Sequence, residues 1–188
     1  MQTNPAAGGA PNAPAAYYDP TSVALHWLTA ALVVALWALG ETIDWFAKGA
    51  PRIDARSVHI TLGATLALVL LVRIVWRVRW ARPPPPAYGG LSGAAARAGH
   101  LVLYALLIAV VALGIANAWI RGDDLFGIYT IPSIAPGDKA LRKFVGHWHG
   151  NAANLILIVA GLHALVGLAH HYFLKDGVLR RMLPPKTR

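Results

Sequence analysis

Four stretches of this 188-residue chain contain no Asp, Glu, Lys or Arg over lengths close to the thickness of a bilayer, interrupted once by Arg73. They are Pro20–Gly40, Ser57–Val72 running on past Arg73 to Trp76, Ala98–Ile120 and Phe144–Leu174. A helix crosses hydrocarbon in about 20 apolar residues. Backbone groups in lipid must pair within their own segment, so each stretch is read as a helix. The last exceeds what a crossing requires and is expected to tilt or protrude. Composition agrees: 13% of residues are charged, against roughly 25% in soluble domains, and the mean hydropathy is +0.49. Connections at Glu41–Arg56, Arg77–Gly99 and Arg121–Lys143 predict an all-α membrane protein, a four-transmembrane-helix up-down-up-down bundle in contact with lipid.

Residues 1–16 form an Ala/Pro/Gly/Asn tail without bulky apolar side chains and are expected to be disordered. The bundle domain is assigned to 17–188. With no Lys or Arg before Lys48, the first span reads as retained rather than cleaved. Four spans place both termini on one side, with ten basic groups against Asp19 and Asp176; the other side has seven basic groups against six acids. The excess puts both termini in the cytoplasm of a bacterial inner membrane. The same scattered placement of the +9 formal charge between apolar spans argues against a nucleic-acid partner. Cysteine is absent, which removes disulfides, iron–sulfur clusters, zinc–thiolate sites and thioether-linked haem.

Against this apolar background the histidines carry the information, because ionisable groups inside a span point to function. His149 and His163 are 14 residues apart, so the fourth helix turns about 1400° and rises about 21 Å between them, leaving both on one stripe. His147 points roughly 160° away from His163. His26 lies near the terminus-side end of the first span, and His59 lies near the opposite end of the second. In an antiparallel bundle His26 is therefore level with His163, and His59 with His149. Imidazole pairs on facing helices suit a flat macrocycle whose iron takes two axial nitrogens. Zinc competes, but its structural sites want four protein ligands at one depth. Two ligands at each of two depths suit two b-type haems. Arg73, 14 residues after His59, is level with the inner pair, as a fork for haem propionates or as a snorkelling anchor.

The segments SVALHWL, RSVHITLGATLALVLLVRIVWRV, RAGHLVLYALLIAVVALGI and HWHGNAANLILIVAGLHALVGLAHHYFLKD resemble the bacterial cytochrome b561 family from about Thr21 to Leu183. Within that family the resemblance is to the small stand-alone members that oxidise superoxide. It implies two haems b (iron), with His26 and His163 on the inner one and His59 and His149 on the outer. It further implies that superoxide outside supplies electrons that reach ubiquinone inside, forming quinol. Six-coordinate iron leaves no open position, so electrons would pass at the porphyrin edges. Two other readings stay open: a cytochrome b subunit joining the quinone pool to a dehydrogenase or hydrogenase partner protein, and a non-redox transporter or assembly factor whose histidines relay protons.

His170, seven residues after His163, shares its face one step nearer the terminus side. It is a candidate proton donor for quinone or a plain interfacial histidine. The resemblance favours the quinone, with Trp27 and Arg77 nearby. On the outer side Lys48, Arg52 and Arg56 lead into His59, and Lys139, Arg142 and Lys143 lead into His149. Arg56 and Arg142 are the candidates for steering superoxide; the acids Asp123 and Asp124 lie farther off in sequence.

Overall fold

The computed structural model describes residues 17–183. The proposed tail at 1–16 lies outside the described residues. Four long helices form: α1 (Pro20–Thr42), α2 (Ala50–Arg79), α3 (Gly90–Arg121) and α4 (Lys139–Ala169). All four are long and apolar enough to span a membrane. Three of them begin before their charge-free stretches do, α2 by seven residues from Ser57, α3 by eight from Ala98 and α4 by five from Phe144. Hydropathy marks where lipid begins, whereas caps and propensity mark where the helix begins. Asp138 accordingly caps α4 through the Leu141 N–H (2.8 Å).

Asp19 caps α1, accepting from the Ser22 N–H (2.9 Å) and hydroxyl (2.6 Å) while Pro20 opens the helix with its fixed φ. It also accepts from Trp76 Nε1–H (3.0 Å), which ties the start of α1 to the end of α2. Partial burial pushes the Asp19 carboxyl up, but the Ser22 and Trp76 hydrogen bonds outweigh it and hold the group below its ordinary value. The Pro83–Pro86 run then ends any helical continuation before α3.

Helix α1 packs mainly on α2, and α3 on α4, in up-down-up-down order. Leu32, Leu36, Leu66, Val69, Leu70, Leu107, Val110 and Ile156 form one buried layer at mid-bundle. Many other large side chains, including Val34, Leu68, Leu71, Ile158 and Leu165, face outward. In water such a surface would drive association; here it matches hydrocarbon.

Two features lie outside the sequence expectations. The α3–α4 connection folds into a small antiparallel hairpin, β1 (Asp124–Leu125) with β2 (Tyr129–Thr130). Ser57, fully buried on α2, clamps it: its hydroxyl accepts from the Phe126 N–H (2.9 Å) and lies 3.1 Å from the Asp124 carbonyl. At the other end α4 runs into a π-helical turn over His170–Leu174, and the chain folds back through a 3₁₀ turn at Leu179–Met182. Tyr18 N–H donates to Arg181 O (3.2 Å), Trp27 Nε1–H to Met182 O (2.7 Å) and Arg181 to Pro85 O (2.8 Å). This strap closes the terminus-bearing end.

Candidate functional site

The periodicity argument for the four histidines appears in three dimensions as two imidazole pairs. At the terminus-bearing end His26 of α1 faces His163 of α4, ring centres 6.3 Å apart and 69° between planes. At the hairpin end His59 of α2 faces His149 of α4, centres 6.1 Å apart and 87° between planes. The buried leucine and valine layer separates the two. Trp37 Nε1–H donates to Asn154 Oδ1 (2.8 Å) across α1 and α4 at a depth between the pairs.

The spacing of each pair tests whether these residues fit an axially ligated metal. A metal–imidazole bond of about 2 Å on each side, plus about 1.2 Å from nitrogen to ring centre, separates two axial rings by about 6 Å. Both pairs meet it. His149 also has the ligating tautomer, since Nδ1–H donates to the Val110 carbonyl (3.1 Å) and leaves Nε2 with its lone pair. Room for the rings comes from glycine. A Cβ on Gly114 would lie 3.0 Å from His149 Cε1, and one on Gly40 would lie 3.3 Å from His59 Cε1. Gly63 and Gly161, also within the spans, have no neighbouring atom within 4 Å of a Cβ. His59 Nδ1 is buried without a hydrogen-bond partner among the described residues.

The terminus-side pair is more crowded. Arg73 reaches its predicted level, where Nη2 donates to His26 Nδ1 (3.1 Å) and the guanidinium stacks 5.3 Å over the Tyr104 ring. That contact places the His26 proton on Nε2, so Arg73 must move off Nδ1 before His26 can ligate through Nε2. His100 of α3 packs 5.3 Å from His163, with Nδ1–H donating to Ala96 O (2.7 Å). The sequence reading passed over His100, although its place two residues into the third charge-free stretch was a usable signal.

His147 turns away from both pairs. It contacts Asn151 (3.0 Å) and lines a shallow depression with Ala140, Lys143 and Phe144. Trp27 stands 5.4 Å from the His26 ring and is about half exposed, and Arg77 is exposed beside the same end. His170 points into a small polar cluster, where Nδ1–H donates to Asp176 Oδ2 (2.5 Å). Tyr88, from the α2–α3 connection, donates its hydroxyl to the same oxygen. The His170 hydrogen bond, then that of Tyr88, pulls the Asp176 carboxyl down to about 2.

At the hairpin end separation in sequence does not carry over into space. Asp123 is not remote from the cations. It is buried and pairs with Arg121 (3.1 Å) and Arg56 (3.5 Å), because the hairpin folds back over the start of α2. Arg142 donates to the Arg121 backbone carbonyl (3.4 Å). Arg52 pairs with Asp44 (3.3 Å). Arg56 is therefore partly neutralised by Asp123, while Arg142 borders the same network through a backbone carbonyl.

Comparison with known proteins agrees with this architecture. The family model described as prokaryotic cytochrome b561 matches residues 17–185. "Cytochrome b561 homolog 2" of Escherichia coli (strain K12) is 34% identical over 178 residues, covering 88% of this chain and 90% of that one. "Probable superoxide oxidase CybB" of Yersinia pestis is 33% identical over 172 residues, covering 90% and 97%. "Cytochrome b562" of Cereibacter sphaeroides is 31% identical over 175 residues, covering 90% and 96%. Four spanning helices with histidines paired inside them, matched over almost their whole length, identify this chain as a member of the prokaryotic cytochrome b561 family, membrane proteins that bind haem b and transfer electrons.

Proposed function

We propose that the protein carries electrons between two haems b, taking them from superoxide at the hairpin end and delivering them to ubiquinone at the terminus-bearing end. The observation that carries the relay is the pair of facing imidazole sets, 6.3 and 6.1 Å across, at two depths of one bundle. Haem b supplies one-electron chemistry at each pair, with His26 and His163 as ligands of one and His59 and His149 of the other. Arg73, once off His26, is the cation for propionates at the terminus side. The basic excess beside the termini supports a cytoplasmic side for that end and a periplasmic side for the hairpin in a bacterial inner membrane. Two superoxide ions become two molecules of oxygen and release two electrons; ubiquinone takes both with two protons. His170, Trp27 and Arg77 border the quinone end, while Arg56 and Arg142 border the superoxide end. The 33% identity to a probable superoxide oxidase supports the donor.

A second reading has its own observation. Ile128, Tyr129 and Ile134 at the hairpin end are exposed apolar side chains that a redox partner protein would cover. Stopped-flow mixing of purified haem-loaded protein with superoxide, then with ubiquinone, separates the two. Haem reduction by superoxide and reoxidation by quinone are the expected results. No reduction by superoxide overturns the donor assignment and favours the partner-subunit reading.

A further inference from the structure

The geometry points to Asp176 as a positioning residue that sets the orientation and tautomer of His170 for proton delivery to quinone, with Tyr88 as its second anchor. This inference rests on the quinone reading above and deepens it. The sequence singled out His170 by its face on α4 but offered no reason for its ring to point one way. The structure gives one. Beyond α4 the chain makes a π turn and reverses at Lys175, where φ is +53°. That reversal carries Asp176 back to His170 Nδ1 at 2.5 Å. The Val178 N–H donates to the other Asp176 oxygen (3.1 Å), so the carboxylate is itself fixed. Tyr88 arrives from the far connection, its ring centre 5.5 Å from that of His170. Two chain segments, the turn over 170–178 and the α2–α3 connection, therefore meet at one carboxylate.

A carboxylate has only acceptors, so the Asp176 partner on His170 must be Nδ1–H. Nε2 is then the nitrogen left to face a substrate. This is the arrangement by which an aspartate holds a catalytic histidine in one tautomer. In quinone reduction each of two electrons arrives through the protein and each of two protons joins a quinone oxygen. His170 takes up a proton from cytoplasmic solvent at Nε2, passing through the imidazolium with Asp176 as its counter-ion, and gives that proton to a quinone oxygen, so that Nδ1–H stays on Asp176 throughout. An amide at 176 offers Nδ1 an N–H as readily as a C=O, so it loses the tautomer while keeping the shape. Nearby charges are Lys175 on the same turn and Arg180 and Arg181 on the strap; neither Asp176 nor Tyr88 touches the proposed haem ligands.

The test is single-turnover reoxidation of the pre-reduced, haem-loaded full chain by a soluble ubiquinone analogue. Wild type is compared with H170L, D176N, D176E and Y88F, and haem content is checked by absorbance. General acid–base groups contribute about 10²- to 10⁴-fold, so loss of the orienting partner is expected to slow D176N by about 10- to 100-fold. The concentration of quinone giving half-maximal rate should change less than about threefold, and the solvent deuterium isotope effect should rise as proton transfer limits the rate. D176E, which keeps the carboxylate, should recover most of the rate, and Y88F should stay within about twofold of wild type. Should D176N fail to assemble, D176E decides the matter: a rate no better than that of H170L overturns the proposal. If H170L is slow while D176N matches wild type, Asp176 has no positioning role although the quinone reading stands. If H170L itself matches wild type, the quinone reading at His170 fails and this inference with it.

Discussion

Glycine in place of alanine at two positions is what lets the hairpin-end imidazoles sit where they do, and the size of the effect follows from the distances. Replacing Gly114 with Ala puts a methyl carbon 3.0 Å from His149 Cε1. Carbon atoms settle at about 3.5–4.0 Å, so the ring or the helix must give by about 0.5 Å. The His149 ring is anchored by a 3.1 Å hydrogen bond to the Val110 carbonyl. Moving the ring by that amount along the bond leaves it outside hydrogen-bonding range. Overpacking costs about 1–3 kcal/mol, and loss of the hydrogen bond adds about 1 kcal/mol. At 1.4 kcal/mol per tenfold, haem affinity at this end should fall by about 30- to 700-fold. Gly40→Ala meets His59 at 3.3 Å and needs a shift of only about 0.2 Å, so its loss should be smaller. Gly63→Ala and Gly161→Ala meet nothing within 4 Å and serve as controls. The assay is haem-to-protein ratio with low-temperature spectra of each variant purified in detergent. The order Gly114, then Gly40, then the two controls is expected, with one haem lost and the other retained. Equal haem content in Gly114→Ala and Gly161→Ala refutes the claim that ring clearance at Gly114 matters.

Three further outcomes are expected. Ala at His26 or His163 should remove one haem and Ala at His59 or His149 the other, while His147→Ala keeps both because its side chain lies off the bundle interior; haem stoichiometry decides. Asp123→Asn removes the carboxylate shared by Arg56 and Arg121 and should speed superoxide-driven haem reduction severalfold at low salt, whereas Arg56→Glu or Arg142→Glu should slow it. Both differences should vanish near 1 M salt, where screening acts over about 3 Å, and rates insensitive to charge and salt would remove the steering role. Acidification should loosen the strap. The folded Asp176 carboxyl sits near 2, below its ordinary 3.8, so its contribution is full above that ordinary value and is lost as pH falls toward 2. Hydrogen exchange over residues 176–183, corrected for intrinsic rates, should rise between pH 4 and 2 in wild type and stay flat in Asp176→Asn.

The parts of this molecule that were legible in its sequence are those fixed by one segment's own periodicity. A gap in charge about 20 residues long announces a spanning helix because the bilayer imposes the length. Fourteen residues announce a shared face because the helix imposes the angle, and this placed His149 and His163 on one stripe and Arg73 level with His26. What stayed hidden depends on where a connection lands. Asp123 reaches Arg56 across 67 positions only because the hairpin is pinned to the buried Ser57 hydroxyl. Tyr88 and Asp176, 88 positions apart, meet because the strap folds back onto the α2–α3 connection. The same reasoning separates the glycines. Gly63, Gly114 and Gly161 look alike in a helical stretch, yet only the neighbouring helix decides which one faces an imidazole. In a membrane bundle the lipid specifies the helices strongly and their termini weakly. The chemistry at each end is therefore set by short polar contacts between connections, and these contacts are where substitutions should separate haem binding from electron delivery.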